Sequence, residues 1–218
     1  MPHQLRLDLR KPPAFSRDGF VVSDSNRDAV GLLDQPELWN AGVLALVGPA
    51  GSGKTHLARA WAAERGALTF EPAKPLRTQL DRAQRRDVLW DDADVLRGRD
   101  EALFHLINIA GRGGRLLLTG KEPPRVWPAK LPDLRSRLKG LTVATLEEPD
   151  EAVLAGVLAT LFRARNIRPA DDVLPYLLRR MERSVPAAAA LVERLDEEGK
   201  PVTRVLARAV LGDVEAQD

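Results

Sequence analysis

GPAGSGKT at 48–55 sets glycines, a lysine and a hydroxyl in the spacing G-x-x-x-x-G-K-[ST]. Such a loop wraps backbone N–H groups around phosphates at the positive end of a helix dipole. Lys54 would reach the β- and γ-phosphates, and Thr55 would offer its hydroxyl to Mg²⁺. Gly48, Pro49, Ala50, Gly51, Ser52, Gly53, Lys54, Thr55 and the adjoining His56 are therefore the expected nucleotide-binding residues. VLWDDAD at 88–94 adds carboxylates. Asp91 is the candidate to hold Mg²⁺, directly or through water. Asp92 could orient the attacking water, although either acid could instead cap the following segment. Asp94 reads as a turn or cap residue. Thr119, at the end of LLLTG (116–120), would emerge where ligands of open α/β sheets bind. Its hydroxyl could touch the γ-phosphate or the water, or bond only to backbone.

LPDLRSRLKGL (131–141) sets Arg135, Arg137 and Lys139 on a short helix that starts near Pro132. Two residues apart, Arg135 and Arg137 face different ways. An outward arginine can stabilise charge on a phosphoryl group bound by another subunit, or it can be merely solvated.

These residues need a scaffold. GVLALVG (42–48), ALTFE (67–71), DVLWDD (87–92), RLLLTG (115–120) and LTVATL (141–146) are short apolar runs, and they predict five buried strands. Between them, THLARAWAAERG and DEALFHLINIAG have helical spacing. The alternation predicts a parallel sheet flanked by helices. RDAVGLL predicts a further helix, with Ser23, Asp24 or Ser25 as its N-cap. After Pro149 no strand pattern recurs, and four helical segments predict an all-helical lid. The expected divisions are an extended tail at 1–19, a nucleotide-binding domain at 20–148 and the lid at 149–218.

Composition narrows the function. With no cysteine in 218 residues, disulfides, thiol chemistry and cysteine-held zinc are excluded. No apolar run approaches the ~18 residues of a membrane span. With no secretory h-region either, a cytoplasmic location and no membrane partner are expected. A net charge of +2 is too small to argue for nucleic acid. The run Arg82, Arg85 and Arg86 reads as a solvated face that could give weak backbone contact with DNA.

Taken together, the P-loop, the DD strand, the polar strand end, the arginine helix and the helical lid resemble the AAA+ ATPases. Within them, the chain is most similar to the branch of the bacterial replication initiator DnaA and its shortened relatives. FVVSDSN (20–26), GKTHLARA and LPDLRSRL each resemble segments of that branch, and LLLTGKEPP resembles the shortened members. The resemblance implies a bound ADP or ATP with Mg²⁺, and Arg137 as an arginine finger acting in trans. It also implies a function for QLRLDL (4–9), whose leucines alternate on an extended tip. This tip resembles the peptide by which the shortened members bind the replicative sliding clamp, with Gln4, Leu5, Leu7 and Leu9 as anchors. The chain ends soon after the lid, and a helix-turn-helix domain like the initiator's is not expected.

The implied function is stimulation of ATP hydrolysis by DnaA, with DNA met through the clamp, so that replication is not restarted too soon. One departure concerns the second sensor arginine of the lid, whose place Pro186 takes; Arg183 is the candidate substitute. Slow intrinsic hydrolysis follows if neither reaches the nucleotide. A helicase loader or other DnaA-related adaptor is the alternative, and a small-molecule P-loop kinase is a more distant one. Monomer and homodimer both stay open.

Overall fold

A computed structural model describes residues 15–96 and 98–215. The QLRLDL tip lies outside the described residues. Five parallel strands form one sheet: β1 (Val43–Val47), β2 (Leu68–Thr69), β3 (Val88–Trp90), β4 (Leu116–Gly120) and β5 (Thr142–Thr145). Their order is β2-β3-β4-β1-β5. The helices among the described residues are α1 (Arg27–Asp34), α2 (Lys54–Arg65), α3 (Leu76–Ala83), α4 (Asp100–Ala110), α5 (Pro132–Lys139), α6 (Glu151–Ala164), α7 (Val173–Leu178), α8 (Val185–Glu197) and α9 (Arg204–Glu215). None of these is long and apolar enough to cross a membrane.

The central strands are apolar throughout because both faces are covered. Val43, Ala45, Val47, Leu116 and Leu118 point to one side and pack with Leu103, Leu106 and Ile107 of α4 and with Leu134 and Leu138 of α5. The alternate residues Leu44, Leu46, Leu89 and Leu117 point to the other side, against Leu57 and Trp61 of α2 and Leu33 of α1. Each large apolar side chain buried in this way contributes roughly 1.5–3 kcal/mol. A separate apolar cluster joins α6–α9, centred on Leu158, Phe162, Leu177 and Leu191.

The register brings the working ends together. Val47 lies opposite Gly120 of β4 and Thr145 of β5, and Trp90 of β3 lies opposite Leu118. The residues that follow β1 and β3, and the end of β4, therefore share one edge of the sheet. Strands β2, β3 and β4 lie on one side of β1 and β5 on the other, which makes its end the switch point where open α/β sheets bind ligands.

Three local expectations change. The N-cap of α1 is Asn26, rather than Ser23, Asp24 or Ser25. The Asn26 side chain is occupied in shaping the preceding turn: its Oδ1 accepts from the Ser23 N–H and its Nδ2 donates to the Val21 carbonyl. Residues 15–19 are not extended tail. They include a 3-10 turn at Arg17–Gly19, and Arg17 pairs with Asp34 at the end of α1. Finally, α3 has no counterpart among the predicted elements. It is mostly exposed, and its apolar positions Leu76 and Leu80 are only partly buried.

Candidate nucleotide-binding site

The phosphate loop runs from the end of β1 into α2. Its glycines are there for close approach. Gly51 has a φ of 76°, and a Cβ on it would lie 2.7 Å from Cβ of Ser184 in the lid. Gly48 has a φ of 153°, and a Cβ there would lie 2.2 Å from the Leu146 carbonyl oxygen. Larger residues would push the loop off both the sheet and the lid. The first N–H groups of α2 have no intrahelical acceptor and point toward the loop. Within the loop, the Ser52 hydroxyl is buried without a hydrogen-bond partner.

Lys54 lies beneath the loop. Its Nζ donates to the carbonyls of Gly48 and Pro49, at 2.8 and 2.7 Å. Burial lowers its pKa, while Asp92, Asp94 and Asp91 oppose that shift and Lys121 reinforces it. A phosphate arriving here would exchange two carbonyl acceptors for anionic oxygens, and those hold an ammonium more strongly.

The acidic strand end carries oxygens of the kind a cation would take. Asp91 is largely buried, and its Oδ1 accepts from Thr55 at 3.2 Å and from Thr119 at 2.7 Å. Thr119 is fully buried, and its hydroxyl also accepts from the Asp92 N–H at 2.8 Å. The threonine thus bonds to backbone, as one reading of the sequence had it, and orients Asp91 as well. With its hydrogen committed to Asp91, Thr119 acts on the site through that carboxylate. Asp92 is exposed, with a φ of 54°. Asp94 accepts from the Lys121 N–H at 2.7 Å and ties the segment after β3 to the end of β4.

This donor set fits a nucleotide with Mg²⁺. An unpaired buried hydroxyl, a buried ammonium and free helix N–H groups surround the loop, with a hydroxyl and a carboxylate oxygen side by side next to it. Mg²⁺ is ordinarily bound by one or two carboxylates completed by phosphates and water.

The segment before α1 and the lid both close on this loop. A Cβ on Gly53 would lie 3.3 Å from the Phe20 ring. His56, on α2, sits between the rings of Phe15 and Phe20, and its Nε2 meets the Ser16 carbonyl at 3.2 Å. In the lid, Val185 donates to the Gly51 carbonyl at 3.2 Å, and Ser184 caps α8 by accepting from Ala187. Pro186 stands in the first turn of α8 against Gly51, where proline is well tolerated. Arg183, the candidate substitute, is exposed and precedes the Ser184 cap, so it lies outside α8.

The arginine helix is built differently. Leu134 and Leu138 anchor α5, while Arg135, Arg137 and Lys139 are exposed. The Arg137 guanidinium lies 4.8 Å from the centroid of Phe104 on α4. In the basic run, Arg86 donates to the Gly66 carbonyl at the end of α2, so it is not simply a solvated residue.

Sequence reasoning missed Arg59. It stands one turn after Thr55 on α2, and its Nη2 donates to Asp91 Oδ2 at 3.3 Å. The i,i+4 spacing from Thr55 was the available signal.

No family model matches the chain. Its sequence is 27% identical over 238 residues to the chromosomal replication initiator protein DnaA of Thermomicrobium roseum, covering 94% of this chain and 51% of that protein. The chain thus spans about half the length of this curated relative. Its structure is similar to domain III of the Thermotoga maritima replication initiation protein DnaA, with a TM-score of 0.74 and 21% identity over 93% of this chain and 97% of the other. It is also similar to the replication initiator DnaA bound to AMPPCP and single-stranded DNA, with a TM-score of 0.68 and 20% identity over 87% of this chain and 66% of that one. In fold, the chain is similar to domain III of the replication initiator DnaA, with five parallel strands flanked by helices.

Proposed function

We propose that this chain is a nucleotide-binding regulatory factor of the Hda type. It binds ADP or ATP at its phosphate loop. Gln4, Leu5, Leu7 and Leu9 tether it to a DNA-loaded sliding clamp, and it presents Arg137 to the ATP of the initiator DnaA. Its product is an ADP-bound initiator, and its effect is to restrain repeated initiation of replication.

The observation that carries this reading is the contrast within one chain between a part-buried Thr55–Asp91–Thr119 cluster beneath the phosphate loop and an exposed Arg137 on α5. The first suits a nucleotide held by the chain itself, and the second suits a phosphoryl group held by a neighbour. The AMPPCP in the similar DnaA structure supports nucleotide as the ligand.

In this mechanism the N–H groups of 51–55 and the Lys54 ammonium bind the phosphates. Thr55 and Asp91 would hold Mg²⁺, which neutralises phosphate charge when bound. Thr119 keeps Asp91 in position, and Asp92 would orient a water. The lid contributes proline rather than a guanidinium at Pro186, so the chain's own turnover is slow and its nucleotide serves mainly to hold core and lid together. Arg137 can leave Phe104 with little cost, because a cation–π contact at an exposed site is worth about 0.5–1 kcal/mol. At a partner's γ-phosphate the same guanidinium would meet developing charge in a water-excluded interface, where it is worth far more.

The test is to load DnaA with ATP and follow hydrolysis with and without this chain, in the presence of clamp and DNA. Stimulation that depends on the clamp supports the reading, and no stimulation overturns it. Clamp capture separates this function from that of a helicase loader: replacing Gln4 and Leu5 with alanine should abolish capture, and retained capture would remove the tether.

A further inference from the structure

Asp91 divides its two oxygens between different kinds of partner. Oδ1 accepts from the hydroxyls of Thr55 and Thr119, and Oδ2 faces the Arg59 guanidinium. Thr55 and Arg59 are four apart on α2, so the helix presents both to the end of β3. The arginine is half exposed and the aspartate is mostly buried. On its other side, Arg59 lies 5.1 Å from the centroid of Phe15, which is edge-on to His56. The residue is therefore seated between an aromatic ring and the carboxylate expected to serve a divalent cation.

We propose that Arg59 is a tethered cation that competes with Mg²⁺ for Asp91 and makes nucleotide binding nearly independent of the metal. This rests on the nucleotide-site reading above. A bare carboxylate beside a polyphosphate repels it, and in most sites of this chemistry Mg²⁺ removes that repulsion. Here a guanidinium in the same chain neutralises the carboxylate beforehand. When Mg²⁺ does bind, Arg59 must yield Oδ2, and it has Phe15 to rest on. Arg59 is thus a positioning and charge-balancing residue that acts through Asp91. It favours stable holding of a nucleotide over metal-driven turnover.

The experiment measures ADP affinity in EDTA and in excess Mg²⁺, by calorimetry, for the wild type, Arg59→Gln and Arg59→Lys. The readout is the ratio of the two dissociation constants. The wild-type ratio should be close to one. Arg59→Gln should raise it about five-fold, the scale set by losing one partly exposed ion pair, through weaker binding in EDTA. Arg59→Lys keeps the charge, so its ratio should stay near that of the wild type; a merely structural arginine would not be rescued in this way. In an Asp91→Asn background, Arg59→Gln should no longer change the ratio. Equal ratios in wild type and Arg59→Gln would overturn the role of Arg59 alone, and so would an Arg59→Lys ratio as high as that of Arg59→Gln. Absence of ADP binding by the wild type would overturn the nucleotide site together with this proposal.

Discussion

Thr119 and Arg137 illustrate two ways of holding a polar side chain. Thr119 is wholly buried and uses its hydroxyl as donor to Asp91 and as acceptor for the Asp92 N–H. Arg137 is exposed and rests on the ring of Phe104. The first geometry is enforced from within, by strand register and by the cost of leaving a buried polar atom unpaired. The second is loosely held and makes chemical sense once a second molecule approaches. Substitutions in the two regions should therefore separate cleanly: those at the sheet edge should alter this chain's own stability and ligand affinity, and those at the exposed arginines of α5 should alter chiefly what it does to a partner.

The largest effect is expected at Lys54. Lys54→Ala removes the ammonium that would bridge phosphate oxygens, and ADP affinity should fall by about 100-fold, the scale of losing charge-assisted hydrogen bonds. Calorimetry reads the affinity and circular dichroism checks that the fold persists. Unaltered affinity would show that the loop is a structural turn. Next, Thr119→Val leaves Asp91 without one donor and the Asp92 N–H without its acceptor, so stability should drop by about 1–3 kcal/mol in denaturant titrations. A neutral result would mean that water replaces the hydroxyl and that the sheet edge is less enforced than its geometry implies.

A smaller effect belongs to Asp150, where core and lid join. This residue caps α6 by accepting from the Val153 N–H at 2.9 Å. That bond, followed by the Ser23 hydroxyl, lowers its pKa below the ordinary 3.8 against a smaller opposing effect of burial. A depressed carboxylate contributes stability above its unfolded value, and that stability is lost as pH falls through the folded value. Asp150→Ala should cost about 1 kcal/mol at neutral pH, and the difference from wild type should shrink as the pH is taken below 3.8. A difference that persists in acid would assign the effect to packing rather than to the charged cap. The smallest effects on stability are expected at the arginines of α5, where Arg135→Ala should lie within about 0.5 kcal/mol of wild type and Arg137→Ala should lose no more than the roughly 0.5–1 kcal/mol of its contact with Phe104.

The same contrast explains what could be read in advance. The strands, the phosphate loop and the acidic strand end were legible because their signals are local: an apolar run, a glycine spacing, two carboxylates after VLW. Contacts between distant segments were not. Nothing in RKPPAFSRDGF announces that Phe15 and Phe20 will close around His56. The pairing of Arg59 with Asp91 depends on how α2 crosses the end of β3. The contact of Val185 with Gly51 depends on where the lid falls back on the core. Short α3 escaped notice because its arginines and glutamine give it little apolar face to recognise. The role proposed for Arg137 rests on likeness to a family, since its one ring contact, with Phe104, does not point to a ligand.

The most direct test of the account is therefore a single-turnover measurement on ATP-loaded DnaA with clamp and DNA, comparing wild type, Arg135→Ala and Arg137→Ala. The account predicts that Arg137→Ala loses the stimulation of hydrolysis while retaining ADP affinity, clamp capture and thermal stability, and that Arg135→Ala keeps most of it. Undiminished stimulation by Arg137→Ala would contradict the claim that this chain completes its neighbour's site.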